Sequence, residues 1–185
     1  MARTPSNMLP LGTMAPDFTL PNVVSGTNIT LKEIASEKAT VVMFICNHCP
    51  YVIHVLDGIL HLANDYIPAG ISFVAISSND VENYPQDSPE KMKELAIQNS
   101  FPFPYLYDES QAVARAYDAA CTPDFYVFDN TLQLVYRGQM DGARPSNEIP
   151  VTGEDLRKAL DAVLRGEEVF SEQRPSLGCN IKWKN

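Results

Sequence analysis

Two cysteines with two residues between them stand in the segment "FICNHCPYV", at Cys46 and Cys49. They follow the apolar, β-branched run "ATVVMFI", which predicts a strand buried on both faces. A helical pattern begins at Tyr51, so the pair falls where a strand passes into a helix. Unpaired N–H groups and the helix dipole at that junction favour a thiolate. We expect Cys46 to be the exposed attacking thiol and Cys49 the inner, resolving thiol, close enough for a disulfide.

The residues around the pair fit redox chemistry, although other readings of a C-x-x-C motif stay open. His48, when protonated, would favour a thiolate, and Asn47 shares its place between the cysteines. Pro50 falls in the first helical turn, where its missing N–H costs little. A zinc site would need two more ligands, and the chain has no second C-x-x-C or H-x-x-x-H. Structural zinc and an inert buried pair are the alternatives; we expect no metal and no cofactor.

The elements around this motif predict an α/β fold. "ISFVAIS" reads as a second buried strand, which makes a βαβ unit with parallel strands. Two short strands in residues 16–31 flank a Ser-Gly turn, and Thr30 can cap a short helix in a capping box with Glu33. "SNDVENYPQD" reads as an exposed loop before a helix that Ser88 opens. "DFYVFD" and "LQLVYRG" predict an antiparallel hairpin, and residues 152–166 a last helix.

Length and charge narrow the class of protein. The 185 residues suit one domain, which we place at 1–185 with 167–185 as a docked, irregular C-terminal tail. A formal net charge of −9 argues against nucleic acid or an anionic membrane as the main partner. No apolar run reaches the length of a membrane span or a secretory signal, so we expect a cytoplasmic protein whose thiols are mostly reduced.

The chain resembles the thioredoxin-like superfamily, most closely its redoxin or peroxiredoxin-like branch of the alkyl hydroperoxide reductase and thiol-specific antioxidant type. The segments that carry the resemblance run along nearly the whole chain: "APDFTL", "FICNHCPYV", "SNDVENYPQDSPEKM", "FPFPYLYDESQAVARAY", "CTPDFYVFD", "LVYRGQMD" and "PSLGCNIKWK". The resemblance implies a central mixed β-sheet flanked by helices, with an N-terminal β-hairpin extension. It also implies a cis proline at Pro123, preceded by Thr122, beside the cysteine pair. Cys121 would then be a third redox thiol or a buried, inert one.

Departures from the family patterns limit what the resemblance implies. Thioredoxins carry a tryptophan before the first cysteine, where this chain has Ile45, and a buried carboxylate on the preceding strand, where it has none. Peroxiredoxins use P-x-x-x-T-x-x-C with an arginine, but Cys46 stands at the threonine position if Cys49 is the reactive thiol. Arg115 and Arg137 are the candidates to reach the site. Peroxidase activity is therefore the weaker hypothesis.

The sequence thus predicts a thiol–disulfide oxidoreductase that uses a Cys46–Cys49 dithiol. Its substrate would be a disulfide in a protein or a small molecule, and the reductant is not specified by the sequence. Two alternatives are an antioxidant thiol peroxidase acting on peroxide and a non-catalytic metal- or partner-binding module on the same fold. Cys179, in the tail, could resolve a disulfide, cap the site or pair between chains, although Ile181 and Trp183 favour structural docking.

Overall fold

A five-stranded mixed sheet runs through the centre of the structure, a computed structural model that describes residues 3–184. Its strands in spatial order are β6 (Tyr105–Tyr107), β5 (Ile71–Ser77), β4 (Ala39–Phe44), β8 (Asp124–Asp129) and β9 (Leu134–Gly138). The central strand β4 pairs in parallel with β5 and antiparallel with β8. The parallel pair around an intervening helix confirms the predicted βαβ unit, and β8 with β9 forms the predicted antiparallel hairpin.

Helices cover both faces of this sheet because β4 is apolar on both. The helices are α1 (Leu31–Ile34), α2 (Pro50–Tyr66), α3 (Pro89–Gln98), α4 (Ala112–Ala116) and α5 (Glu154–Leu164). Val41 and Met43 belong to one buried cluster with residues of α2, α3 and α5. Val42 and Phe44 belong to the other, with residues of α1 and α4. This alternation along one strand confirms the α/β, thioredoxin-like architecture of a mixed sheet between helices.

Two smaller sheets complete the fold. The strands β2 (Thr19–Pro21) and β3 (Asn28–Thr30) form the expected N-terminal hairpin, and the predicted capping box of Thr30 is present at the start of α1. The other sheet joins β1 (Arg3–Pro5), β10 (Leu177–Asn180) and β7 (Cys121–Thr122), in that spatial order. The prediction that the tail is irregular up to Ile181 was therefore wrong, because β10 forms only when two distant strands supply its hydrogen bonds.

The segment after β5 also differs from its prediction. The sequence "SNDVENYPQD", most of whose residues are polar, was expected to be an exposed loop. Instead Asn79, Asp80 and Asp87 are buried, and a short 3₁₀ turn spans Pro85–Asp87. Asp87 accepts from backbone N–H groups of the cysteine motif and Asn79 from one of the C-terminal segment, whereas Asp80 accepts from groups within its own segment. Polar composition alone does not show such pairing.

In the region the structure describes, no helix is both long enough and apolar enough to cross a membrane.

Candidate active site

The cysteine motif occupies the connection from β4 to α2. Helix α2 begins at Pro50 and its N-cap residue is Cys49, whereas Cys46 lies in the loop between strand and helix. The sequence predicted that the pair lies where the helix begins, and only Cys49 lies there. The helix starts after Cys49 because Pro50 is best accommodated as the first helical residue. Cys49 therefore takes the position nearest the positive end of the helix.

Both thiols are enclosed. Cys46 is 1% exposed and Cys49 is 0% exposed, so the expectation of an exposed Cys46 was wrong. The groups around Cys46 are nevertheless polar: its Sγ lies 3.4 Å from the Thr122 hydroxyl, and the Asp87 carboxylate is close enough to act on its pKa. The site thus lies in the protein interior, with polar groups beside Cys46 and buried apolar residues around both thiols. A small reagent is better suited to reach it than a folded protein.

Cys49 lies at the centre of three thiols. Its Sγ is 2.8 Å from the Sγ of Cys179 and 3.3 Å from the carbonyl oxygen of Thr122. Cys46 and Cys49 also interact closely enough that each shifts the pKa of the other. Neither pair forms a disulfide here, whose sulfur atoms would be about 2.05 Å apart. The Cys49 sulfur can therefore pair with a partner on either side after only small movements.

Of these three thiols, only Cys49 has its pKa lowered, which favours Cys49 as the one that is charged. The thiol of Cys46, which donates to the Cys49 sulfur, is the main cause that lowers the pKa of Cys49 to about 5; the Cys179 thiol and the Val52 backbone act in the same direction. The pKa of Cys46 is raised, first by the same hydrogen bond, then by burial and by the negative charge of Asp87. The pKa of Cys179 is raised to about 12, chiefly by burial. These directions favour Cys49 over Cys46 as the thiolate, the reverse of the roles expected from the sequence.

Asp87 anchors the cysteine motif from the opposite side. One carboxylate oxygen accepts the backbone N–H groups of Asn47 at 2.8 Å and His48 at 3.2 Å. The other lies 2.6 Å from His48 Nδ1 and accepts from the Asn79 amide at 2.8 Å. The Asp87 side chain is fully buried, and these four nitrogen groups take the place of water around its charge. The loop between the cysteines is fixed by this one carboxylate.

The His48 ring has an unusual environment. Its side chain is 15% exposed and stacks on Tyr84, with the ring centroids 5.5 Å apart. Nδ1 faces Asp87, whereas Nε2 is buried without a hydrogen-bond partner in residues 3–184. Asn47, on the other side of the loop, accepts from the Tyr105 hydroxyl and donates to the Gln86 carbonyl. Both residues between the cysteines are therefore held by tertiary contacts.

Cys46, His48 and Asp87 also have the donor types of a metal site. One sulfur, nitrogen or oxygen atom from each lies within 4.8 Å of the other two. However, each oxygen of Asp87 already contacts two nitrogen groups. A cation would have to displace those contacts, which hold the loop together. The arrangement is therefore better suited to hydrogen bonding and proton movement than to metal coordination.

Thr122 and Pro123 lie beside the dithiol, joined by a cis peptide bond as the resemblance implied. Thr122 pairs with Cys179 across β7 and β10, so the two side chains lie on the same face of that sheet. Cys121 alternates to the other face, and its thiol instead contacts the Pro123 carbonyl at 3.8 Å. Burial raises the pKa of Cys121 far above its usual range. Of its two expected roles, the inert one fits this placement better.

A second buried carboxyl group, Asp124, lies next to Cys121. It accepts from the Ser6 hydroxyl at 2.7 Å and from the Tyr126 hydroxyl at 3.0 Å. Burial raises its pKa to about 7, against an ordinary value of 3.8. The negative charge of Asp124 is in turn one cause of the raised pKa of Cys121.

The arginines considered from sequence have other partners. Arg137 donates to the Leu9 carbonyl at 2.7 Å and to the Gln173 side chain, and Arg115 lies over the Trp183 ring. Trp183 itself remains 36% exposed, whereas Ile181 is buried as expected. The contacts of Arg115 and Arg137 thus give no support for a peroxide-binding arginine.

Sequence reasoning missed the residues that enclose the motif from the segment after β5: Asn79, Tyr84 and Asp87. One signal was available, because "SND" directly follows the carboxyl end of β5, and this end of a parallel strand lies at the same sheet edge as the cysteine motif. The choice of Asp87 over the other acidic residues of the segment depends on how the chain turns at Pro85. That turn was not readable from the sequence.

Comparisons with known proteins agree with this geometry. A crystal structure of an uncharacterized conserved protein from Geobacillus kaustophilus is 61% identical, with a TM-score of 0.98, and covers 100% of this chain and 97% of that one. The thioredoxin domain of a thiol-disulfide oxidoreductase from Bacteroides vulgatus shares the fold at 16% identity and a TM-score of 0.62, over 81% and 97% of the two chains.

The peroxidoxin BcpB from Mycobacterium tuberculosis likewise shares the fold at 22% identity and a TM-score of 0.62, over 84% and 96% of the chains. A search of curated proteins found no match. Residues 11–137 match the AhpC/TSA family, more than half of the chain. With its thioredoxin-like fold and its cysteine motif at the β4–α2 junction, the chain belongs to the AhpC/TSA family.

Proposed function

We propose that this protein is a thiol–disulfide oxidoreductase in which Cys49 is the nucleophile and Cys46 its resolving partner. The observation that carries the proposal is the position of Cys49, at the N-cap of α2 and between two other thiols. A thiolate with a pKa near 5 is charged at neutral pH and is a good leaving group as well as a nucleophile. The structures of similar fold include a thiol-disulfide oxidoreductase, which is consistent with this chemistry.

The reaction would proceed by two exchanges that conserve electrons. The Cys49 thiolate attacks a disulfide R–S–S–R′, forms a mixed disulfide and releases R′–S⁻. Cys46 then loses its proton and attacks the Cys49 sulfur, which closes the Cys46–Cys49 bridge and releases R–S⁻. Both electrons pass from the dithiol to the substrate disulfide. The 0–1% exposure of the two sulfurs favours a small-molecule disulfide over a protein one.

Cys179 is proposed as a second resolving thiol. Its sulfur is already 2.8 Å from that of Cys49, and β10 holds it opposite Thr122. The pKa values of Cys46 and Cys179 are both raised, so either thiol must lose its proton before it attacks. Because Cys46 shares the C-x-x-C motif with Cys49, we expect the Cys49–Cys179 bridge to accumulate mainly when Cys46 is absent.

A redox titration with mass-spectrometric mapping of the disulfides tests these assignments. We expect Cys46–Cys49 in the oxidised wild type and Cys49–Cys179 in Cys46→Ser. Cys121→Ser is the matched control, since the Cys121 thiol contacts the Pro123 carbonyl on the other face of β7, and its disulfide pattern should equal that of the wild type. Oxidation without any bridge to Cys49 would refute the proposal, as would a Cys121 bridge in the wild type.

Thiol peroxidase activity is the second candidate, and the burial of Cys49 is the observation that favours it. Hydrogen peroxide is small enough to reach a thiolate in an enclosed site. The thiolate would attack one peroxide oxygen, giving Cys49–SOH and hydroxide; Cys46 would then form the disulfide and release water. The peroxidoxin of similar fold is consistent with this chemistry.

Stopped-flow oxidation by hydrogen peroxide separates the two candidates. A peroxidase should consume peroxide orders of magnitude faster than a free thiol in solution does, and should form a trappable sulfenic acid at Cys49 in the Cys46→Ser/Cys179→Ser variant. A peroxide rate equal to that of a free thiol, together with rapid reduction of a small disulfide, would exclude the peroxidase and support the oxidoreductase assignment.

A further inference from the structure

A proton has to leave Cys46 before it can close the disulfide, and its surroundings hold few acceptors. In the reduced protein the Cys46 thiol donates to the Cys49 sulfur. That acceptor is lost once Cys49 has formed a bond to the substrate, because its sulfur is then neutral. The nearby carboxylate of Asp87 already contacts four nitrogen groups. The Thr122 hydroxyl, 3.4 Å from the sulfur, is a far weaker base than an imidazole, whereas the His48 ring has a basic nitrogen with an available lone pair.

The Asp87–His48 contact determines which ring nitrogen can accept. Nδ1 lies 2.6 Å from a carboxylate oxygen that also accepts from Asn79, so Nδ1 carries a hydrogen and donates it. In the neutral ring Nε2 is then the basic nitrogen. This is the same atom that is buried without a hydrogen-bond partner in residues 3–184. A buried acceptor without a partner costs stability, and a use in the reaction would explain its presence here.

The Cys46 thiol, the His48 ring and the Asp87 carboxylate lie close to one another. The Cys46 sulfur, a ring nitrogen of His48 and a carboxylate oxygen of Asp87 all lie within 4.8 Å of one another. Stacking on Tyr84 and the bond to Asp87 leave the ring a restricted set of orientations. Distances of this size in a resting site shorten when substrate binds, or are spanned by one water molecule.

We propose that His48, oriented by Asp87, is the proton acceptor that activates Cys46 for closing the Cys46–Cys49 disulfide. This proposal depends on the proposed function and assigns one of its steps. The S–H bond of Cys46 breaks and its proton passes to Nε2. The sulfur electron pair then forms the bond to the Cys49 sulfur, and the substrate thiolate leaves. Asp87 is a positioning residue, whose charge stabilises the imidazolium that forms.

The charged and titratable groups that face the His48 ring are consistent with this proton transfer. Asp87 faces it from the 3₁₀ turn, Tyr84 from the preceding loop, and Cys46 from its own segment. Lys182 lies over the outer side of Tyr84, 5.5 Å from the ring centroid, and does not contact His48 directly. Among these, Asp87 alone provides a full negative charge in contact with the ring.

A single-turnover reaction with 2,2′-dithiodipyridine tests the assignment in the Cys121→Ser/Cys179→Ser background. This small aromatic disulfide releases one coloured thione when Cys49 attacks and a second when Cys46 closes the bridge. His48→Asn keeps an amide that can donate to Asp87 but has no basic nitrogen. We expect it to slow the second release about 100-fold while the first changes little, since general-base catalysis contributes at least that factor.

Controls separate a chemical role from a structural one. His54→Gln and His61→Gln change the other two histidines, which are exposed on α2, and should leave both phases unchanged. Added imidazole should restore part of the second phase in His48→Gly, and far-UV circular dichroism should show both His48 variants folded. If one of the two His48 variants does not fold, the folded one is measured with and without imidazole. Recovery of its second phase by imidazole then supports the proposal.

Each unfavourable result of this experiment would contradict a different part of the mechanism. If both thiones are released and the second phase of His48→Asn equals that of the reference protein, His48 is not the acceptor and the proposed function stands. A slow second phase that imidazole does not restore would assign His48 a structural role only, which also overturns the inference. If no variant with both cysteines releases a second thione, the dithiol mechanism itself fails.

Discussion

Two fully buried carboxyl groups lie near the cysteines, and their surroundings differ. Asp87 contacts four nitrogen groups, two of them backbone N–H groups of the cysteine motif. Asp124 accepts from two hydroxyl groups, those of Ser6 and Tyr126, and its pKa is raised to about 7 by burial. Burial is equal in the two cases, so the number and kind of donors decide how well each anion is held. Asp87 holds the cysteine motif in place, whereas Asp124 is a buried group whose pKa lies near neutrality.

The thiols beside these two carboxyl groups also differ in their surroundings. Cys46, next to Asp87, belongs to a loop that presents it to Cys49 and His48. Cys121, next to Asp124, faces the other side of β7 and contacts a backbone carbonyl. Each thiol has its pKa raised partly by its carboxylate. A carboxylate near a cysteine therefore does not by itself mark an active thiol; the partners within reach of the sulfur do.

The largest expected effect separates the two carboxyl groups directly. Asp87→Asn places an amide NH₂ against groups that donate hydrogen bonds, so at least one buried donor loses its acceptor. We expect the free energy of unfolding to fall by about 4 kcal/mol, as for other broken buried pairs. Urea denaturation under reducing conditions measures it. Asp65→Asn, which breaks an exposed pair with Arg157, is the control and should cost at most about 1 kcal/mol. Equal losses in both variants would contradict the comparison.

The pH dependence of stability tests Asp124. Its pKa is about 7 in the folded protein and ordinarily 3.8, so between these values the folded state binds more protons than the unfolded one. Stability from this group is therefore present at low pH and is lost as the pH rises towards 7. Relative to Asp124→Asn, the wild type should lose about 2–3 kcal/mol of unfolding free energy between pH 5 and pH 8.

Urea denaturation at both pH values gives that difference. Asp87→Asn, measured in the same way, shows whether the trend belongs to Asp124. A wild type whose stability relative to Asp124→Asn is constant with pH, or rises with pH, would show that Asp124 is ionised in the folded protein at pH 5.

The third prediction concerns how the Cys179 side of the site is held. Gly178 in β10 lies so close to β7 that an added Cβ would overlap the Thr122 carbonyl oxygen. Gly178→Ala should force the strands apart and cost about 2 kcal/mol, in the range for overpacked interiors. In the Cys46→Ser background it should also reduce the yield of the Cys49–Cys179 disulfide.

Gly142→Ala provides the matched control, because its Cβ would make an ordinary contact of 3.5 Å with Ile149. Its disulfide yield and urea midpoint should stay close to those of the parent. An undiminished Cys49–Cys179 yield in Gly178→Ala would mean that close strand packing does not position Cys179.

The smallest expected effect concerns the hydrogen bond from the Tyr126 hydroxyl to Asp124. The Tyr126 hydroxyl donates to the carboxylate at 3.0 Å and lowers its pKa against the larger effect of burial. Tyr126→Phe should raise the pKa of Asp124 further and cost about 1 kcal/mol at neutral pH. The pH–stability profile should move to higher pH, and this movement should vanish in Tyr126→Phe/Asp124→Asn. A shift that persists in the double variant would have another origin.

The elements of the fold were largely predictable because they depend on local patterns. The run at β4 is apolar on both faces, the stripe along α2 is regular, and Thr30 with Glu33 forms its capping box from residues three apart. Each of these signals lies within a few residues. The strand β10 was missed because its pairing partners, β1 and β7, lie more than 50 residues away in sequence.

The family resemblance implied the place of Thr122 and Pro123 beside the cysteines. The sequence by itself determined the fold class and the place of the cysteine motif at a strand-to-helix junction. It did so because hydrophobic period and residue type act locally. Only the tertiary structure decided which thiol carries the charge, since Cys49 owes its low pKa to Cys46, Cys179 and the start of α2 together. It also brought Asp87 to the motif. Electrostatic effects depend on distance in space and on exclusion of water, and neither follows from the order of residues alone.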